Sequence, residues 1–283
     1  MDSIAYISKG LNIMDNRPIG FFDSGIGGVT SIPYIMKMLP EERIIFYGDT
    51  ARTPYGSKSP DTIQAFSMQI ADFLVKKNVK MIVIACNTVS SVAVPKLREK
   101  YPDIPIIGCI TPTAKEVSKI VKKDANIGII ATRGTVNAGV YQKRIEEMRT
   151  DVNVFSKACP ALVPLIEEGI IEHEIMDMTV KYYLDDFIKE NNIGTLVLGC
   201  THYPLIKKSI NKLYPGLEIF SSSKEVAKAV EMELTQREMM AEKKEGKDEF
   251  YASDLSETFV ALIEKILGQE KETLQIGFED LDI

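Results

Sequence analysis

The sequence is poor in residues that bind metals or form disulfides. Its 283 residues include two histidines and four cysteines, and no two cysteines form a CxxC pair. A zinc site would have few ligands to draw on, so we expect no bound metal. Counting alone leaves disulfide pairing open. Residues 1–16 lack the basic-then-apolar order of a secretion signal, which favours a cytoplasmic protein with free thiols.

Long apolar runs and nucleotide-binding motifs are missing as well. No apolar run approaches the roughly 20 residues that span a bilayer, and neither a P-loop nor a GxGxxG fingerprint occurs. The net charge of −6 argues against nucleic acid or an anionic membrane as a partner, although it allows an anionic small substrate. The length and the hydrophobic fraction of 45% predict about two globular domains.

Short apolar runs alternate with stretches of helical periodicity from about Pro18 onward. The predicted strands are Ile19–Phe22, Arg43–Tyr47, Lys80–Ala85, Pro105–Gly108, Asn126–Ala131, Val152–Phe155, Thr195–Gly199 and Glu218–Phe220. The predicted helices include Asp61–Lys77, Ser90–Lys100, Asn137–Met148, Ile175–Lys189 and Ser223–Glu238. This alternation is typical of βαβ units with a mainly parallel sheet. We expect a loop at Ala241–Asp248 and terminal extensions without a chemical role at Met1–Asn16 and Gly268–Ile283.

Two segments resemble each other, and each ends in a cysteine followed by polar residues. Lys80–Thr88 and Gly194–His202 are both a β-branched apolar run, a small residue, a cysteine and then residues suited to a helix start. Ligands bind at the carboxyl ends of strands in open α/β sheets. Two thiols facing one crevice could remove a proton from one face of a carbon and return one to the other face, which is racemase chemistry.

The spacing of the two cysteines is close to one domain length. We therefore expect two doubly wound, parallel-sheet α/β domains that face each other, pseudo-symmetrically, across a central cleft. Residues 1–110 and 222–283 would form the first domain, with Cys86, and residues 111–221 the second, with Cys200. The chain would cross between them near Thr111–Thr113 and Ser221–Ser223.

Both candidate thiols would lie at a helix N-terminus, which lowers a thiol's pKa. Cys109 and Cys159 lack this context and are expected to be inert buried residues. Asn87, Thr88 and Thr201 follow the two candidate cysteines and could donate hydrogen bonds to an α-carboxylate. His202 could share a proton with a thiol or stabilise its thiolate, or it could simply cap a turn half-exposed. His173 is expected at the surface.

Polar loops elsewhere supply further candidates. Asp23, in the Gly-rich turn Phe22–Gly28, could bind an ammonium group, assist a thiol or merely cap the turn, and Ser24 has the same ambiguity. The loop Tyr47–Ser59 could hold a carboxylate, while its cations Arg52 and Lys58 are expected at the surface.

Two segments of the predicted second domain also carry polar candidates. The turn Ala131–Thr135 could hydrogen-bond a ligand or cap the next helix. One carboxylate of Ala158–Gly169 could reach the site. The more ordinary expectation is that these carboxylates lie in solvent at the end of a helix.

The chain resembles the glutamate racemase family from about Pro18 to Gly268. The motifs are FDSGIGG, YGDTARTPYGSKS, ACNT, ATRGTV and GCTHYPLI, in the usual order. The resemblance implies that Cys86 and Cys200 are acid/base thiols, assisted by Asp23, His202 and Glu167, with Glu168 as the alternative carboxylate. The implied substrate-binding residues are Asp23, Ser24, Pro54, Tyr55, Gly56, Asn87, Thr88, Thr135, Thr201 and His202.

The same resemblance implies cofactor-independent interconversion of L- and D-glutamate in a cytoplasmic homodimer, with D-glutamate supplied for peptidoglycan synthesis. GCTHYPLI favours glutamate over aspartate, because aspartate racemases are expected to carry an acidic residue at the position of His202. Two alternatives are a racemase of another acidic amino acid such as aspartate and a non-catalytic module that binds an acidic ligand. Substrate comparison and hydrogen exchange at the α-carbon separate them.

Overall fold

Ten strands and twelve α-helices make up the described part of the chain. The structure is a computed structural model that describes residues 14–268 and 275–281. The strands are β1 Ile19–Asp23, β2 Ile44–Gly48, β3 Met81–Ile84, β4 Ile106–Gly108, β5 Asn126–Ala131, β6 Asn153–Ala158, β7 Thr195–Gly199, β8 Glu218–Ser221, β9 Glu249–Ala252 and β10 Gln275–Phe278. The helices are α1 Ile32–Met38, α2 Pro60–Lys76, α3 Asn87–Val92, α4 Val94–Lys100, α5 Ile110–Ile120, α6 Arg133–Ala138, α7 Val140–Met148, α8 Leu162–Glu167, α9 Glu174–Glu190, α10 Lys207–Leu213, α11 Ser222–Gln236 and α12 Glu257–Leu267.

The strands form two parallel sheets, as the alternating pattern predicted. The first sheet has the order β10-β9-β2-β1-β3-β4, and the second has the order β6-β5-β7-β8. Strands β1, β2, β3 and β7 are buried along their whole length, which explains their continuous apolar runs. One hydrophobic core includes strand residues of both sheets, such as Phe21, Met81 and Val197, so the two halves of the molecule pack directly on each other.

Strand register brings the candidate residues to two sheet edges. In the first sheet, Asp23 pairs with Gly48 and Phe22 pairs with Ile84, so Asp23 and the residues after β3 share one carboxyl edge. In the second sheet, Ala131 pairs with both Ala158 and Gly199, which aligns the residues that follow β5, β6 and β7. Parallel pairing thus gathers residues that are distant in sequence.

All eight predicted strands are present, and two of the predicted helices are divided. The stretch Ser90–Lys100 contains the end of α3 and all of α4, which has Pro95 in its first turn. Pro95 has no amide hydrogen to donate, so a helix begins there readily and does not run through. The stretch Asn137–Met148 is divided by Gly139, whose φ of 63° lies in the left-handed region and separates α6 from α7.

The prediction that Gly268–Ile283 is a mere extension was wrong for Gln275–Phe278. Strand β10 pairs with β9, and β9 pairs with β2, so these four residues form one edge of the first sheet. Backbone hydrogen bonds hold both strands in the sheet. Each strand has only four residues, so its side chains form no pattern from which the pairing could be predicted. Most of the predicted extension Met1–Asn16 lies outside the described residues, but the Asp15 carbonyl accepts a hydrogen bond from Lys80 Nζ at 2.6 Å.

Strands β1–β4, β9 and β10 form the first sheet and β5–β8 form the second, whereas the division of the chain into two domains stays a prediction. The exact boundaries at residues 110 and 222 stay a prediction. Within residues 14–268 and 275–281, no helix is both long and apolar enough to cross a bilayer. The same ranges contain no cluster of three or more histidine, cysteine, aspartate or glutamate side chains arranged to hold a metal ion.

Candidate active site

A narrow cavity of about 20 Å³ lies between the carboxyl edges of the two sheets. Cys86 and Cys200 both line it, one from each sheet, and both are buried. The other lining residues are Ser24, Thr53, Pro54, Tyr55, Gly56, Asn87, Thr88, Thr132, Val163, Thr201 and His202.

Cys86 lies beside neutral and negative groups. It is the N-cap of α3, and its Sγ donates a hydrogen bond to Ser24 Oγ at 3.4 Å. Burial, and next the negative charge of Asp23, raise the pKa of the Cys86 thiol well above its usual range. The expectation that its helix terminus would lower this pKa was therefore wrong. Desolvation at a fully buried sulfur exceeds the effect of one short helix.

Cys200 lies beside a positive group. Its Sγ is 3.9 Å from His202 Nδ1, within hydrogen-bonding reach for sulfur. Burial would lower the pKa of His202, but the hydrogen bond with Cys200 and the carboxylate of Glu167 raise it to about 10. His202 is therefore an imidazolium at neutral pH. The two thiols thus differ in their surroundings: a carboxylate lies near Cys86, and a cation lies beside Cys200.

Glu167, at the end of α8, reaches the other side of the His202 ring. Glu167 Oε1 lies 3.2 Å from His202 Nε2. The two groups form an ion pair, but their geometry does not meet the criteria for a hydrogen bond. The Glu167 side chain is 30% exposed, so solvent screens this pair in part. Its neighbour Glu168 is exposed. The geometry therefore favours Glu167 over Glu168 as the assisting carboxylate.

Asp23 lies beneath the cavity and connects the two halves. Its Oδ2 accepts hydrogen bonds from the Gly28 amide at 2.7 Å and from Thr201 Oγ1 at 3.3 Å. The capping role is thus real, but Oδ1 remains buried without a partner. A buried acceptor without a donor is costly unless a ligand supplies one.

Two buried site atoms, Asp23 Oδ1 and Asn87 Nδ2, have neither a hydrogen-bond partner nor an ion-pair partner. The first accepts and suits an ammonium group, whereas the second donates and suits a carboxylate. An amino acid carries both groups on its α-carbon, so these two orphaned atoms are complementary to it. His202 Nε2 is not free in this sense, because it faces Glu167 Oε1.

The loop that carries Tyr55 is fixed by a buried ionic cluster. Asp49 Oδ2 accepts hydrogen bonds from Arg52 Nε at 2.7 Å and from the Tyr55 hydroxyl, while its Oδ1 accepts from Ser253 Oγ at 2.8 Å. The Arg52 guanidinium also lies 4.1 Å from the centre of the Phe66 ring. The expected surface location of Arg52 was therefore wrong. The residues around Arg52 in the sequence do not indicate that it pairs with a buried aspartate.

Close backbone approach seals the cavity where the halves meet. A Cβ on Gly27 would lie 2.4 Å from Thr201 Oγ1, and one on Gly56 would lie 2.6 Å from Thr132 Cβ. Any larger residue would push the halves apart. Beside Gly56, Thr88 Oγ1 lies 2.9 Å from Thr132 Oγ1 and 3.3 Å from Thr135 Oγ1, which adds hydrogen bonds across the same boundary.

The structure gathers every residue that the sequence singled out for the site. Ten of them line the cavity, while Asp23, Glu167 and Thr135 contact its lining residues. Sequence reasoning gave no role to Thr53, Thr132 or Val163, which also line it. All three lie within segments that were recognised as candidates, so their position beside named residues was the available signal.

Similarity to known proteins extends along most of the chain. A family profile described as Asp/Glu/Hydantoin racemase matches residues 34–230. A glutamate racemase from Neisseria meningitidis is 42% identical over 266 residues, which cover 94% of this chain and 98% of that protein.

Solved structures agree with the sequence similarity. One is a glutamate racemase from Francisella tularensis in complex with D-glutamate, with 38% identity, a TM-score of 0.88, and coverage of 95% of this chain and 99% of that one. Another is a glutamate racemase from Bacillus anthracis, with 35% identity, a TM-score of 0.88, and coverage of 94% and 98%. The chain belongs to the glutamate racemases of the Asp/Glu/hydantoin racemase family and is an amino-acid racemase, an isomerase.

Proposed function

We propose that this protein interconverts L- and D-glutamate by proton transfer between two cysteines, without a cofactor. The observation that carries the proposal is the pair of thiols, Cys86 and Cys200, which enter one cavity from opposite sheets. Glutamate as the substrate is supported by the relatives, whose names specify it.

The substrate would be held by the orphaned atoms and the hydroxyls around them. The ammonium group would donate to Asp23 Oδ1. The carboxylates would accept from Asn87 Nδ2 and from the cavity hydroxyls of Ser24 and Thr88. In a small cavity closed to water, such donors stabilise negative charge far better than they would in solution.

The reaction would move one proton onto the enzyme and one off it. Cys200, as the thiolate beside the His202 cation, takes the α-proton from one face and becomes a thiol. The electron pair left on the α-carbon then accepts the proton of the Cys86 thiol on the opposite face. The product is the mirror-image amino acid, and Cys86 is left as the thiolate. The reverse reaction restores the starting protonation.

The α-carbon is a far weaker acid than a thiol, whose ordinary pKa is about 8.5. Three contributions would close this gap: orientation of the α-hydrogen toward sulfur, exclusion of water, and donors aimed at the α-carboxylate. Delocalisation of the carbanion charge into that carboxylate explains why neutral donors and His202 surround the cavity. Each donor gains strength as the charge develops.

The assignment carries proposals beyond the reaction itself. The product D-glutamate supports a role in supplying peptidoglycan synthesis in the cytoplasm, and the family resemblance supports a homodimer. Depletion of the protein should then deplete D-glutamate and be rescued by adding it. Sedimentation equilibrium of the purified protein should give twice the monomer mass of 31.6 kDa.

Circular dichroism tests the proposed activity directly. L-glutamate and D-glutamate, each incubated with purified protein and no added cofactor, should both lose their optical signal and reach the same racemic end point. Faster loss of the aspartate signal would move the assignment to aspartate. Unchanged signals, together with glutamate binding by calorimetry, would reduce the protein to a binding module.

A further inference from the structure

A tyrosine outside the cavity lining contacts a residue inside it. Tyr141, on α7 of the second half, donates a hydrogen bond from its hydroxyl to Asn87 Oδ1 at 2.7 Å. Asn87 is the first residue of α3 in the first half and follows Cys86 directly. Both side chains are buried, with 3% and 2% of their surface exposed. The bond therefore crosses between the halves in a site closed to water.

The hydrogen bond accounts for one edge of the Asn87 amide and leaves the other free. With Oδ1 taken by Tyr141, the edge that remains is Nδ2, which is buried and has no partner. A carboxamide has two edges of nearly equal shape and opposite hydrogen-bonding character. A half-turn of this amide would present an acceptor where an anionic substrate needs a donor.

The tyrosine itself is held firmly against the second catalytic segment. A Cβ on Gly199, the residue before Cys200, would lie 3.2 Å from Tyr141 Cε2, so the ring packs on the strand end. Burial raises the pKa of Tyr141 well above its usual range, so its hydroxyl stays protonated and available as a donor.

We propose that Tyr141 is a positioning residue, whose hydroxyl holds the Asn87 amide with Nδ2 turned to a substrate carboxylate. This inference rests on the proposed function of the site. Tyr141 itself does not touch the substrate. Its contribution is to preorganise a donor, which lowers the ordering cost when substrate binds.

A double mutant cycle tests the proposal on the full chain. Tyr141→Phe should lower kcat/KM for glutamate about tenfold, as expected for a misoriented hydrogen bond to a charged group. The change should appear mainly in KM, because a carboxylate contact is made before and during proton transfer. In the Asn87→Ala background, the same Tyr141→Phe substitution should change kcat/KM less than twofold.

Tyr251→Phe is the matched control. Tyr251 is buried away from the cavity, and its hydroxyl donates to Glu249 Oε2 at 2.6 Å, so this variant also loses a hydroxyl and its hydrogen bond. It should lower thermal stability like Tyr141→Phe, yet leave KM unchanged. A merely structural role would make the two variants behave alike in both measurements.

Several results would overturn the inference. One is an equal effect of Tyr141→Phe in both backgrounds, and another is no effect in the native background. If the parent protein binds glutamate but does not racemise it, only the proposed function fails. The cycle is then read on the dissociation constant, with the same expectations. A parent that neither binds nor racemises glutamate overturns both proposals.

Discussion

The two cysteine segments are alike in sequence and opposite in electrostatics. Cys86 and Cys200 both follow a buried parallel strand and face the same cavity. Yet Cys86 lies near the carboxylate of Asp23, while Cys200 lies 3.9 Å from a protonated His202. A repeated segment therefore gives two thiols different electrostatic surroundings, which suits a pair of one acid and one base. The difference comes from residues that the repeat does not share.

Removal of either sulfur should have the largest effect on this pair. Cys86→Ser and Cys200→Ser should each lower kcat for racemisation roughly a thousandfold or more, since each removes a general acid or base. Elimination from a glutamate analogue with a good leaving group needs only one base and should survive better in one of the two variants. Racemisation rates and elimination rates are compared for both.

The control for the cysteine variants is Cys109→Ser. Cys109 is also buried and unpaired, and it lies 3.4 Å from Ser90 Oγ, away from the cavity lining. Its substitution should leave kcat within about twofold of the parent, as for changes outside a functional site. Normal racemisation by Cys86→Ser would refute the two-thiol assignment.

Asp23→Asn should reduce the electrostatic difference between the two thiols. Removal of the charge should lower the pKa of Cys86 toward, but not to, its ordinary value, because burial is the larger cause of the shift. This pKa is measured by following thiolate absorbance as a function of pH. The part of the titration that is lost in the Cys86→Ser variant belongs to Cys86. We expect kcat/KM to fall about a hundredfold, within the range for a residue that binds substrate and tunes an acid. An unchanged Cys86 titration would contradict the account.

Glu167→Gln should weaken the positive charge beside Cys200. The pKa of His202, held at about 10 by Cys200 and Glu167 against burial, should fall in the variant, as measured by NMR of the imidazole. The expected loss of kcat is about tenfold, because Glu167 acts through a partly exposed pair. Glu168→Gln, one residue further along the chain and exposed, should change neither quantity.

The same pair predicts the sign of a stability change. His202 has a higher pKa in the folded chain than the ordinary 6.5, so its contribution is complete below about pH 6.5. It is lost as the pH rises through about 10. The difference in Tm between the parent and Glu167→Gln should therefore shrink from pH 7 to pH 10. A difference that grows over this interval would show that His202 is neutral in the folded protein.

The sequence predicts local features of this molecule well and cross-chain contacts poorly. Strands β1 to β5 and β7 were recognisable because buried parallel strands are continuous apolar runs, and Cys86 and Cys200 were recognisable because they follow two of these strands. The Tyr141–Asn87 and Arg52–Asp49 bonds were not, since each depends on which faces the fold brings together. Strand β10 escaped because its pairing with β9 rests on backbone atoms.

Isotope exchange in deuterated water tests the two-sided proton transfer most directly. L-glutamate is incubated with the protein in deuterated water, the two enantiomers are separated at early times, and the deuterium content of each is measured by mass spectrometry. The account predicts one deuterium in every D-glutamate formed and almost none in the remaining L-glutamate. Early D-glutamate that keeps the original hydrogen would mean that a single group carries the proton between the two faces, and the two-thiol account would be wrong.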